Sequence, residues 1–219
     1  MDTDGLKRNL YAVRSSLEKA SGSFGRQVTL VAATKTVPAD LIDELVRLGV
    51  ARVGENRVQE YLAKKDAVTG AKWHFIGTLQ RNKAKYLVGD VELIQSVSSA
   101  ANACEIDRLA RLRGVVQDVL AEFNVGGEES KTGADFGEAD ELIGKLLDLK
   151  NVRLRGLMTV PPRDAPDGIY KKIYALYSRY ESGAFDTLSV GMSGDYEKAI
   201  AFGSNMVRLG TALFGQRNY

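Results

Sequence analysis

Three stretches of this 219-residue chain carry residue types that could do chemistry together. Lys35 stops the run Val28 to Lys35, VTLVAATK, whose β-branched and small apolar residues read as a strand buried on both faces. Burial disfavours the ammonium form, and a neutral amine attacks an aldehyde or ketone to give a Schiff base. Taken alone, the lysine reads more simply as a strand-end side chain that runs out to solvent. Gly191-Met192-Ser193-Gly194-Asp195 is a small turn opening a helix, where backbone N–H groups bind an anion and Ser193 adds a hydroxyl donor. Arg208-Leu209-Gly210-Thr211 again sets a glycine beside a hydroxyl residue. Ser193 and Asp195 also fit as plain helix caps. Arg208 falls in a strand made otherwise of Val207 and Leu209, so it points into the core or mouth of the fold and needs an acceptor, a carboxylate or a ligand atom.

These residues have to be positioned by the elements between them. Leu6, Leu10, Val13 and Leu17 recur at helical steps, which predicts an amphipathic helix over 6–21 with Asp4 as its cap. After the lysine strand, the pattern predicts helices over 40–48, 58–67, 81–87, 99–112, 138–147, 170–182 and 196–202. Strands are predicted over 51–53, 73–76, 91–97, 115–125, 152–160, 187–190 and 205–209. Eight strands alternating with helices across short links match a single (β/α)8 TIM barrel with an extra N-terminal helix better than an open doubly wound sheet. No composition shift, Pro/Ser-rich linker or longer repeat divides the chain, so residues 1–219 read as one domain. In a barrel, strand ends carry the chemistry, and the turns after the seventh and eighth strands are the place to look for a phosphate site.

Composition limits the function classes. Hydrophobic residues make up 44% and charged residues 26%, with a formal net charge of +2, which marks neither disorder nor attraction to nucleic acid or membrane. The one cysteine, Cys104, allows no internal disulfide and fits a reducing cytosol; its spacing from Ala100 and Ala103 predicts a buried structural thiol. One histidine and one cysteine argue against a zinc site. No long apolar run and no signal-peptide order at MDTDGLKRNLYAV lead to the expectation of a soluble cytoplasmic protein.

Two glycine-lined anion turns, a strand-end lysine and an inward arginine together suit pyridoxal 5′-phosphate (PLP): its aldehyde needs an amine, its phosphate needs amides, and its ring nitrogen needs a polar partner. The motifs Ala32-Ala33-Thr34-Lys35, Gly54-Glu55-Asn56, Trp73-His74-Phe75-Ile76-Gly77, Leu79-Gln80-Arg81-Asn82-Lys83, Gly156-Leu157-Met158, Leu188-Ser189-Val190-Gly191-Met192-Ser193 and Arg208-Leu209-Gly210-Thr211 follow one another along the chain. In that order the sequence resembles the pyridoxal phosphate homeostasis proteins over essentially its whole length. The resemblance implies the alanine racemase N-terminal-domain fold, PLP fold type III, with the cofactor held by Lys35. It further implies that Ser193, Gly210 and Thr211 take the phosphate, that Arg208 faces the ring nitrogen, and that Asn56 lines the ring or helps fix the lysine. The family usually has His or Pro where this chain has Thr78, and Met where it has Val190; neither is a proposed cofactor contact.

The expected role is to bind, buffer or deliver PLP, with apo PLP-dependent enzymes as candidate recipients and a monomer as the working unit, and no amino-acid turnover beyond a weak racemase-like activity is expected. A two-base racemase needs a second acid/base, which in alanine racemase comes from a C-terminal β domain of the partner subunit; the sequence in hand stops at Tyr219, just past the eighth strand. The rivals are a PLP-dependent racemase with an in-barrel second base, a cofactor-free Schiff-base aldolase using the anion turns for a sugar phosphate, and a non-catalytic interaction module. Among the remaining candidates, His74 between Trp73 and Phe75 reads as a satisfied core residue. Gln80-Arg81-Asn82-Lys83 reads as a cofactor or partner contact or as a solvated helix start, Lys131 as a second amine or an exposed-loop lysine, and Tyr170, Tyr174 and Tyr177 as packing.

Overall fold

A computed structural model describes residues 2–22, 25, 27–127 and 132–216. The chain opens with α1 (Thr3–Gly22), which buries the predicted stripe Leu6, Leu10, Val13 and Leu17. Its cap is Asp2 rather than Asp4: the Asp2 carboxylate accepts the Gly5 amide at 2.8 Å, two residues earlier than the sequence suggests. Then follow β1 (Thr29–Ala33), α2 (Ala39–Arg47), β2 (Arg52–Glu55), α3 (Val58–Lys64), β3 (Lys72–Phe75), β4 (Leu93–Val97), α4 (Ala100–Arg113) and β5 (Gln117–Asn124). The second half comprises β6 (Ala134–Asp135), α5 (Ala139–Leu147), β7 (Val152–Met158), α6 (Asp167–Tyr180), β8 (Thr187–Ser189), α7 (Tyr196–Ala201), β9 (Met206–Leu209) and α8 (Thr211–Phe214).

All strands pair in parallel, in the order β4-β3-β2-β1-β9-β8-β7-β5, and a β4–β5 pairing joins the two edges. This is the expected (β/α)8 barrel, with neighbours in chain order; β6 is a two-residue addition to the end of β5 outside the ring. Alternation sorts the side chains. Ala32, Val53, Phe75, Ile94, Val119, Leu188 and Val207 join the helices in a large outer core, whereas Val31, Leu93, Leu120, Met158 and Met206 pack with one another inside the ring.

Several boundaries differ from the sequence reading. β1 ends at Ala33, and Lys35 stands in the turn beyond it, half-buried. Residues 81–86 form a 3-10 helix instead of an α-helix, and the predicted 58–67 helix tightens into a 3-10 turn after Lys64. Cys104 is exposed, not buried: Asn102, Ala103, Ile106, Leu109 and Ala110 form the buried face of α4 and leave position 104 turned outward. In β7 the register against β5 shifts, so that Val119 pairs with Leu154 while Leu120 pairs with Gly156. Gly156 takes φ 147°, and a Cβ there would lie 1.8 Å from the Thr187 carbonyl oxygen, so only glycine fits this bulge.

Candidate functional site

Strand register gathers the six residues singled out above at one end of the barrel. Ala33 pairs with Gly54 and Ala32 with Leu209, so the turns holding Lys35, Asn56, Gly210 and Thr211 all leave the carboxyl ends of adjacent strands. Ser193, in the turn after β8, reaches the same rim. Its hydroxyl oxygen accepts the Ala212 amide at 3.0 Å and the Gly210 amide at 3.3 Å. Gly191 bends this turn at φ 104°, where a Cβ would lie 2.8 Å from that of Ala199. The two turn residues differ in capping: Ser193 takes first-turn amides of α8, whereas Asp195 accepts the Met192 amide at 2.7 Å and the Tyr170 hydroxyl at 2.7 Å and gives no cap bond to α7.

The turn carrying Lys35 is fastened on both sides. Buried Thr34 donates its hydroxyl to Glu55 at 2.7 Å, and the Thr36 amide donates to Glu60 at 2.7 Å. Lys64 links the two carboxylates, reaching Glu55 at 2.8 Å, Glu60 at 3.0 Å and the Thr34 carbonyl at 3.1 Å. Thr36 itself sits at φ 61°, an uncommon conformation for a β-branched residue. Glu55 is fully buried and burial raises its pKa; its second oxygen has no hydrogen-bond partner among the described residues. Asn56 follows half-buried, its backbone so close to Gly77 that a Cβ on Gly77 would lie 2.1 Å from the Asn56 carbonyl oxygen.

Arg208 points into the barrel, 4% exposed. The acceptors it requires are neutral: the Ser189 carbonyl at 2.9 Å, the Ser189 hydroxyl at 2.6 Å and the Thr159 carbonyl at 2.8 Å. Burial lowers its pKa to about 10, while Glu122 and Asp195 raise it through space, so the guanidinium keeps its charge at neutral pH. Glu122, itself raised by burial, accepts the Thr132 hydroxyl at 2.5 Å.

The other sequence candidates lie elsewhere. His74 is buried within the barrel and bonded on both ring nitrogens, to Gln95 at 2.8 Å and Glu92 at 3.4 Å. Lys83 and Lys85 lie over the Tyr86 ring, which makes the 80–83 segment an exposed 3-10 start, and Lys131 lies outside the described residues. Tyr170 and Tyr177 are buried. The sequence reading missed Glu55, Lys64 and Glu60 around the lysine turn, and Gln95, Ser189 and Thr159 below it. One signal was available for Gln95: a lone amide inside the five-residue buried strand Leu93-Ile94-Gln95-Ser96-Val97 needs partners.

Comparison with known proteins agrees with this architecture. A family profile described as the alanine racemase N-terminal domain matches residues 1–218. The pyridoxal phosphate homeostasis protein of Aquifex aeolicus is 43% identical over 223 residues, spanning 98% of this chain and 97% of that protein. The protein of the same name from Escherichia coli K12 is 37% identical over 232 residues, again across 98% and 97%. PipY of Synechococcus elongatus, in a structure with PLP bound, superposes with a TM-score of 0.84 at 31% identity, covering 96% of this chain and all 100% of that one. An alanine racemase from Clostridium difficile, TM-score 0.79 at 16% identity and covering 99% of this chain and 60% of that one, shares the fold. The chain belongs to the pyridoxal phosphate homeostasis protein family, built on the alanine racemase N-terminal-domain barrel.

Proposed function

We propose that this protein binds PLP at the carboxyl-end rim of its barrel and serves intracellular PLP homeostasis, holding, buffering or delivering the cofactor. The observation that carries the assignment is the convergence of two backbone amides, Gly210 and Ala212, on the Ser193 hydroxyl oxygen, at the same rim as Lys35. Donors converging on one oxygen in a glycine-bent turn suit a phosphate. When bound, PLP would supply an aldehyde for the lysine amine and a phosphate dianion for that donor set. Lys35 takes the aldehyde, Ser193, Gly210 and Thr211 the phosphate, and Asn56 flanks the ring; Arg208 faces the ring nitrogen. The Glu55–Lys64–Glu60 network holds the lysine turn.

Arg208 also bears on what the bound cofactor can do. A guanidinium has only N–H groups to offer and at neutral pH does not surrender a proton, so it leaves the ring nitrogen unprotonated. A ring in that state withdraws electrons weakly, which favours holding PLP over turning over an amino acid. Apo PLP-dependent enzymes are the recipients in this reading, a monomer in the cytoplasm is the working unit, and residues 1–219 act as one domain. Support for the monomer is that one chain supplies every group named at the rim. Among the described residues no helix is long and apolar enough to cross a membrane.

The test is the visible absorbance of the purified protein with added PLP, before and after borohydride reduction, with mass mapping of the modified lysine. A yellow band and a pyridoxyl group on Lys35, both lost in Lys35→Ala, are expected. No band, or label scattered over surface lysines, overturns the assignment.

A further inference from the structure

A continuous line of buried polar groups runs down the barrel axis from Arg208 to the opposite mouth. Arg208 donates to the Ser189 hydroxyl at 2.6 Å, Ser189 lies 2.7 Å from the Gln95 amide oxygen, the Gln95 amide nitrogen lies 2.8 Å from His74 Nδ1, and His74 Nε2 lies 3.4 Å from Glu92. Ser189 and Gln95 have no exposed surface, and His74 is 2% exposed. Glu92 is half-exposed. It lines a cavity of about 250 Å³ at the amino-end mouth with Arg52, Asp118, Arg155 and Asp186, where it also pairs with Arg52 at 3.1 Å.

Arginine sets the direction of the line. Arg208 can only donate, so the Ser189 oxygen accepts from it and must send its own proton onward. The acceptor in reach is Gln95 Oε1, which orients the amide. Gln95 Nε2 then faces His74 Nδ1, and also the Met206 sulfur at 3.4 Å. His74 must present Nδ1 bare, so its proton sits on Nε2, toward Glu92. A neutral ring agrees with the burial of His74, which lowers its pKa against the opposing pull of Glu92.

We propose that Ser189, Gln95, His74 and Glu92 are a chain of positioning residues that fixes Arg208 as a charged donor at the ring end of the cofactor site, anchored to a carboxylate at the far mouth. This rests on the reading that Arg208 faces the PLP ring nitrogen. The relay does not conduct protons, because the Gln95 amide would have to become an imidic acid to pass one on. It acts through geometry and aligned dipoles: every donor points away from Arg208, so an acceptor oxygen faces the guanidinium and keeps it charged without a carboxylate at the ring end.

His74 is the only histidine in the chain, so two-bond proton–nitrogen NMR of the wild-type protein reads the relay without ambiguity and without a variant. A neutral ring protonated on Nε2 is expected; a ring protonated on Nδ1, or an imidazolium at neutral pH, overturns the relay whether or not PLP binds. Ser189→Ala, which does not touch His74, is expected to release the Gln95 amide and move the Nδ1 resonance while Glu92 still holds the proton on Nε2; an unchanged Nδ1 resonance overturns the coupling. Gln95→Leu is expected to weaken PLP binding about tenfold in a spectrophotometric titration, with Lys35 still the labelled residue. Unchanged affinity removes the link to the cofactor site. A wild-type protein that binds no PLP overturns the ring-end reading alone and leaves the tautomer result standing.

Discussion

Arg208 and His74 are charged or chargeable groups inside a barrel, and each is tolerated for a different reason. Arg208 keeps its charge by giving its N–H groups to carbonyl and hydroxyl oxygens. His74 gives its charge up, since burial is the largest influence on it and lowers its pKa from the ordinary 6.5. The consequence for stability follows from linkage: below about pH 6.5 the unfolded chain takes up a proton that the folded chain refuses, so stability falls as pH drops from there. The limit for one such group is about 1.4 kcal/mol per pH unit. Urea unfolding at pH 7.5, 6.5 and 5.5 should show that limb in the wild type and lose it in His74→Gln; equal slopes in both proteins would remove the neutral buried histidine. At this scale the sequence was legible where a residue type is rare in its setting. A lysine closing an apolar strand and an arginine between Val207 and Leu209 stand out in one dimension, whereas Glu55 reads as an ordinary turn residue until the fold buries it.

The element that matters most for the lysine is the turn between β1 and α2, and its rigidity is borrowed from α3. Lys64 is 11% exposed and Glu55 not at all, so their contact is a buried ion pair shared with Glu60. Removing one partner of such a pair strands the other in the core. Lys64→Ala should therefore cost roughly 3 kcal/mol. Glu55 is already raised by burial and can relieve part of that cost by taking a proton, so the loss should be larger at pH 8 than at pH 5. Thermal unfolding at the two pH values measures both, and the Thr36 amide, freed from an ordered Glu60, should exchange faster with solvent. A loss independent of pH would mean that Glu55 does not titrate with folding. Elements were legible wherever periodicity was clean, as with Leu6, Leu10, Val13 and Leu17 in α1. Sequence failed at short or tightened pieces: α8 spans only Thr211–Phe214, and the 3-10 helix at 81–86 carries the same residue types as an α-helix. Local composition does not separate those forms; packing does.

The barrel closes where the first strand meets the last, and α1 covers that seam. Its residues reach three other helical segments: Asn9 donates to the Leu213 carbonyl of α8 at 2.9 Å, Arg14 to the Leu48 carbonyl after α2 at 2.8 Å, and Ser16 meets Glu197 of α7. Because β4 also pairs with β5, the ring has no free edge from which to come apart piece by piece. A defect at the seam should be felt beyond the strands it covers. Leu10 is 3% exposed in α1, and truncation to alanine should cost about 3 kcal/mol in lost contacts and cavity. Trp73, the only tryptophan in the sequence, lies in β3 and packs edge-on against Tyr61 at 5.5 Å, so its fluorescence reports the barrel wall two strands away from β1. In Leu10→Ala the fluorescence and far-UV circular dichroism transitions should both move to lower urea, and by the same amount, if residues 1–219 fold as one domain. A dichroism change that leaves the Trp73 transition in place would instead mean that α1 melts away from a barrel stable without it, and the one-domain reading would fall.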